Sequence, residues 1–150
     1  LGLGYGADGE YVWVHAGGVC AGATTFYRAA FNAGLPILQA RPHTLVSYWP
    51  PGWDATVQEG AFDVVVLNDT PGELRVRAKV EAAARQMTIW FEGRVPPDRT
   101  VTRRGPRQLA EFSYETFRDI AYANGHTLTE RRVVTYVGVP PTVIPPYPGD

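Results

Sequence analysis

The sequence predicts an α+β fold: one helix carrying a cysteine at its N-terminus, packed on a mostly antiparallel β-sheet and followed by a C-terminal β-hairpin. Three observations predict it. Phe26, Ala29, Ala30 and Ala33 recur at helical spacing and Gly34 supplies a stop. From Ala61 onward, segments rich in β-branched residues alternate with turn residues. Near the C-terminus two further such segments flank Ala123-Asn124-Gly125-His126, and Asn-Gly is a strong hairpin signal because both positions accept positive φ.

Taken in chain order, Gly2, Gly4, Gly6 and Gly9 read as turns, since neither a P-loop lysine nor a following helix accompanies them. The helix spans about 19–33, with Cys20 in its first turn. Residues 35–39 and 43–49 read as short strands, the second ending where Pro50-Pro51-Gly52 breaks regular structure. Segments 61–68, 73–82 and 86–93 read as a meander backing the site. After Arg94 a Pro- and Arg-rich stretch reads as a connection, and its basic cluster from Arg99 to Arg107 as a solvated linker. Strands resume at 112–122 and 127–137, where Tyr114 and Phe117 are core or inter-strand aromatics and His126 is an exposed turn residue. The tail carries Pro140, Pro141, Pro145, Pro146 and Pro148 and is expected to be extended. The organisation is thus a core over 1–95, a connection over 96–110, a hairpin extension over 111–139 and a proline-rich tail over 140–150, all in a single compact domain.

At 150 residues and 45% hydrophobic content the chain can bury one sizeable core and is short for two domains. A net charge of −1 argues against a nucleic-acid partner, because no basic stripe is available to neutralise phosphates. The lone cysteine excludes an internal disulfide framework. Three scattered histidines and one cysteine lack the close ligand spacing of zinc motifs, so no metal is indicated, and nothing asks for a cofactor. No apolar run reaches the roughly twenty residues of a membrane span, and no secretion signal opens at Leu1.

Chemistry concentrates in two runs. In Gly17-Gly18-Val19-Cys20-Ala21-Gly22-Ala23-Thr24-Thr25, two glycines lead into the helix. A thiol placed there feels the positive end of the helix dipole and unpaired N–H groups, which favour the thiolate. The alternative is a buried cysteine acting as a small hydrophobe. The second run, from Arg41 to Val57, supplies a candidate base, His43, and a candidate acid, Asp54. A cysteine nucleophile needs an imidazole within reach, best held by a third group that fixes its tautomer. His15 either lines the same pocket or is a surface histidine. Tyr48, Trp49 and Trp53 interleave with Pro50, Pro51 and Gly52, and form either one wall of a substrate groove or a cover over the core. Arg41 suits bidentate carboxylate recognition or a surface salt bridge.

Together these runs resemble the VanW family. The resemblance is carried in order by residues 17–27, Ala33-Gly34-Leu35, Arg41-Pro42-His43-Thr44, the stretch 48–57 and the segment 63–70, with Gly4-Tyr5 a further match upstream. It implies peptidoglycan chemistry outside the cytoplasm, in the cell envelope, with any export or anchor segment supplied elsewhere. The implied activity is that of a cysteine-dependent L,D-transpeptidase acting on peptidoglycan stem peptides through a thioester. By this resemblance Cys20 is the nucleophile, His43 the base and later acid, and Asp54 the orienting group. Backbone N–H groups of Cys20 and Ala21 are the expected oxyanion donors. Thr24, Arg41, Tyr48, Trp49 and Trp53 are the expected substrate contacts. The family's glutamine after the cysteine is Ala21 here, which removes one side-chain amide from the site. A papain-like amidase or hydrolase and a non-catalytic wall-binding module are the alternative readings.

Overall fold

The computed structural model describes residues 2–5, 10–15, 17–46, 49–94, 97–142, 145, 146 and 148. Strands β1 (Gly2–Tyr5) and β2 (Tyr11–Val14) pair ahead of helix α1 (Val19–Asn32). Next come β3 (Ile37–Gln39) and β4 (Val65–Val66), which pair with each other, and the hairpin of β5 (Leu74–Glu81) and β6 (Gln86–Gly93). A three-stranded sheet of β7 (Arg99–Ala110), β8 (Ser113–Tyr122) and β9 (Thr127–Thr135), with β8 central, completes the molecule. Among the described residues every strand pairing is antiparallel. The α+β class with one helix on mostly antiparallel strands therefore holds.

Helix α1 ends as its sequence predicts. Leu35 N–H donates to the Ala30 carbonyl at 3.1 Å and Gly34 N–H to that of Phe31 at 3.2 Å, the paired bonds of a Schellman stop. Gly34 is required twice over: its φ is +72°, and a Cβ there would lie 2.7 Å from Cδ of Arg99. Thr24, Tyr27, Ala30 and Phe31 form the buried stripe, so the face is rotated from the expected Phe26–Ala29–Ala30–Ala33 set. Phe26 instead turns toward β6, its ring 5.7 Å from that of Phe91. The core is built on Tyr27, Phe31, Trp53 and Ala55, with Ile37, Ala40 and Val64 packed around them.

The C-terminal sheet is tied to the helix by arginines. Arg118 is fully buried and donates to the carbonyls of Phe31 (3.1 Å) and Leu35 (3.0 Å), at the negative end of the helix dipole. Its Nε pairs with Glu130 at 2.6 Å, and its guanidinium lies 4.6 Å over the Phe31 ring. Arg99 reaches the same helix end, donating to the Gly34 carbonyl at 3.1 Å and pairing with Asp69 at 2.8 Å.

Four expectations are corrected. The 96–110 stretch is not a linker: β7 fills most of it, and its side chains pair across to β8, Arg104 with Asp119 at 2.7 Å and Arg107 with Glu115. Pro106, which cannot donate to the ladder, falls where the β7–β8 register shifts between Arg104 and Arg107. Residues 43–49 form no strand among those described, because the His43 N–H is committed to the Asp54 side chain at 2.7 Å. Among the described residues that segment meets the chain beyond β9 through isolated bonds, Val46 N–H to Gly138 O and Val137 N–H to Thr44 O, each 2.9 Å. The meander is broken, since β4 pairs back to β3 and leaves β5 and β6 as a separate hairpin. Gly2 and Gly4 lie in β1 rather than in turns; a Cβ on Gly2 would collide with the Gly17 carbonyl. Gly6 and Gly9 lie outside the described residues.

The loop entering the site is a type II turn. Trp53 N–H donates to the Pro50 carbonyl at 3.1 Å, with Pro51 at the second position and Gly52, φ +80°, at the third. A Cβ on Gly52 would stand 2.8 Å from Cγ2 of Thr116. Gly52→Ala is therefore expected to cost about 1–3 kcal/mol, combining left-handed strain with the collision. Urea unfolding measures it, and a loss below about 0.5 kcal/mol would mean that the turn relaxes freely.

Candidate cysteine site

Two backbone alignments assemble the site. The Thr24 hydroxyl, fully buried on α1, donates to the Ala55 carbonyl at 2.7 Å and accepts the Ala55 N–H at 3.1 Å. One helical turn earlier, Cys20 then faces the next residues of the same segment. Its Sγ lies 3.1 Å from Thr56 Oγ1 and 3.7 Å from the Val57 carbonyl. On the other side, Thr56 N–H donates to the Arg41 carbonyl at 2.8 Å, which sets residues 41–43 alongside 54–56. Cys20 is the second residue of α1, behind Gly18 at φ +92°.

Asp54 is the fixed point. Its side chain is 1% exposed, and Oδ2 accepts both the His43 ring Nδ1 and the His43 backbone N–H, each at 2.7 Å. The other oxygen, Oδ1, accepts the Tyr136 hydroxyl at 2.5 Å. Burial works to raise the Asp54 pKa, but these hydrogen bonds outweigh it and hold the carboxyl below its ordinary value. With Nδ1 taken by Asp54, Nε2 is the ring nitrogen left for the thiol.

The thiol and the imidazole support each other's charged forms. Hydrogen bonding to His43 is the main cause that lowers the Cys20 pKa to about 7; burial opposes it, and Thr56 and the Val57 backbone assist. Burial works to lower the His43 pKa, but bonding to Asp54 and then to Cys20 overcomes it and raises the ring to about 9. Between about pH 7 and 9 the site therefore holds thiolate and imidazolium together. The raised His43 pKa contributes stability that is full below 6.5 and lost as pH rises through about 9. The lowered Asp54 pKa contributes stability present above 3.8 and lost as pH falls through its depressed folded value. Removing the thiol with Cys20→Ala is expected to bring the His43 pKa down from about 9, because one of its supports disappears. Imidazole NMR titration reads this directly; an unchanged value would show that the ring does not sense the thiol.

The remaining candidates fall in different places. Trp53 is 5% exposed and meets Phe31 edge-on at 4.9 Å, so it covers the core rather than walling a groove. Trp49 is half-buried beneath the Arg28 guanidinium, 5.4 Å away. Arg41 is exposed and lies 4.9 Å over the Phe62 ring. Thr24 is sealed from solvent and serves the backbone alignment. The Ala21 N–H donates to the Gly18 carbonyl at 2.9 Å and is not free for an oxyanion, which leaves the Cys20 amide as the expected donor. His15 and His126 are exposed, and Tyr48 lies outside the described residues. Among the described residues no group of three or more His, Cys, Asp or Glu side chains is placed to hold a metal ion, and no helix is long and apolar enough to cross a membrane. Beside the thiol, past Val57, a trough of about 590 Å³ runs between Gly22, Ala23 and Phe26 of the helix and the segment Asp63 to Val66.

Sequence reasoning missed Thr56, Tyr136 and Arg132. Thr56 was legible as a hydroxyl two residues from Asp54; the other two carry no local signal, since Tyr136 lies 82 residues from its partner.

Residues 4–90 match the family model described as VanW like protein. The chain belongs to the VanW family. One relative, the uncharacterized protein YoaR of Bacillus subtilis (strain 168), is 37% identical over 75 residues, 49% of this chain and 25% of that protein. The chain spans about a quarter of that relative's length. No solved structure matches it significantly. The VanW segment contains Cys20, His43, Asp54 and Thr56, whereas Arg132 and Tyr136 come from beyond it.

Proposed function

We propose that this VanW chain is a cysteine-dependent L,D-transpeptidase acting on peptidoglycan stem peptides in the cell envelope. The observation that carries the reading is the imidazole of His43, held through Nδ1 by the buried Asp54 carboxylate, together with a half-buried thiol whose pKa His43 chiefly lowers. The Cys20 thiolate attacks the carbonyl that joins the third stem residue to its terminal D-Ala. As the tetrahedral intermediate collapses, the His43 imidazolium gives its proton to the departing D-Ala amine, leaving a thioester on Cys20. Neutral His43 then takes a proton from the side-chain amine of a neighbouring stem as it attacks the thioester. The new amide is the cross-link, and the thiolate and imidazolium are restored. The trough beside Val57 offers room for an extended stem, and exposed Asp63 on its rim provides a carboxylate for an acceptor ammonium.

Incubation with disaccharide tetrapeptides, followed by chromatography of the products, tests the activity. Free D-Ala together with cross-linked dimers, both lost in Cys20→Ala, is the expected result. Trimmed monomers alone would make the protein a hydrolase, and unaltered muropeptides retained by the protein would make it a binding module.

A further inference from the structure

The Asp54 carboxylate has two oxygens, and His43 uses only one of them. The other is occupied by a residue that no part of the VanW match includes. Tyr136, immediately after β9, is 3% exposed; its hydroxyl donates to Asp54 Oδ1 and accepts the Gly52 N–H at 2.8 Å. Its ring packs edge-on to Tyr114 at 6.1 Å, and its own N–H donates to the Phe112 carbonyl at 2.9 Å, so the phenol is aimed from a fixed base. Four residues earlier, Arg132 in β9 donates from Nη1 to the carbonyls of Gly52 (2.9 Å) and Asp54 (3.0 Å) and to the Tyr27 hydroxyl (2.9 Å). Strand β9 and the residue that follows it thus grip both the carboxylate and the main chain that carries it.

We infer that Tyr136 and Arg132 are positioning residues for Asp54, through which the three-stranded sheet outside the VanW match completes the cysteine site. This deepens the reading of Cys20, His43 and Asp54 as a relay and rests on it. A packing role alone would be met by phenylalanine, because a buried hydroxyl is costly unless it finds a partner. Here the partner is the carboxylate that orients the imidazole. The groups on that carboxylate are His43 from the 41–43 segment and Tyr136 beyond β9; the Arg132 guanidinium of β9 lies on the Asp54 main-chain carbonyl, with the Tyr27 phenol of α1 as a further partner.

The test is the pH dependence of Cys20 alkylation by iodoacetamide in the parent chain, His43→Ala and Tyr136→Phe, with circular dichroism confirming the fold. With its hydroxyl partner removed, Asp54 can rotate and holds the ring less well. Tyr136→Phe is then expected to raise the apparent thiol pKa by at least about half a unit, a roughly threefold change in the thiolate-to-thiol ratio, in the direction of His43→Ala. A folded Tyr136→Phe whose profile overlays the parent, while His43→Ala is shifted, overturns the inference and leaves the relay standing. A His43→Ala profile that also overlays the parent overturns the relay and the inference together. In the unmodified chain, proton NMR should show the Tyr136 hydroxyl as a downfield, slowly exchanging signal. Its absence would contradict the inference whether or not the variant folds.

Discussion

Replacing Asp54 with asparagine is expected to slow acyl-enzyme formation about a thousandfold or more, equivalent to about 4 kcal/mol of barrier, in a chain that still folds. Asparagine has the same shape, and its one carbonyl oxygen can accept the two His43 donors that Asp54 Oδ2 accepts now. Its amide can then donate to the Tyr136 oxygen, which today donates to Oδ1. Position is largely kept and charge is lost. The imidazolium paired with the resting thiolate loses its buried counter-charge, so the His43 pKa falls from about 9 and the Cys20 pKa rises from about 7. Single-turnover rates of D-Ala release measure the effect. A loss smaller than about tenfold would remove Asp54 from the orienting role.

Arg118→Met is expected to destabilise the chain by about 3 kcal/mol, lowering Tm by roughly 6–12 °C for a domain of this size. Methionine fills much of the stem's volume, so the cavity contribution is small. The cost comes from the carbonyls of Phe31 and Leu35, which lose their donors at the helix end where burial keeps water out. Glu130 adds little, because its side chain is 41% exposed and can rehydrate. Calorimetry of the variant measures the change; a shift under about 2 °C would mean that water replaces the guanidinium at both carbonyls.

These two substitutions also mark what the chain discloses on reading and what it withholds. Cys20, His43 and Asp54 were legible because each lies in a short run whose residues dictate local shape: glycines before a helix, His43 behind Pro42, and a Pro-Pro-Gly turn ahead of the acid. The helix stop at Gly34 was legible for the same reason. Arg118 and Tyr136 were not. Their partners are 87 and 82 residues away, and a strand carries no mark of which distant segment it will meet. Strand β7 was hidden by its charge, since arginines that pair across a sheet look like a solvated run until the facing acids are known. The 43–49 segment misled in the opposite sense: Tyr, Val and Trp suit a strand, yet the His43 amide had already been claimed by a side chain.

The site thus draws on both parts of the molecule: Cys20, His43 and Asp54 from the VanW segment, and the grip on Asp54 from the residues that follow. The measurement that tests the central claim most directly is intact-protein mass spectrometry after incubation with a disaccharide tetrapeptide, comparing the parent chain with Cys20→Ala. The account predicts an adduct of the donor mass minus D-Ala on the parent alone. The absence of any adduct, from folded protein whose thiol alkylates readily at neutral pH, would contradict it.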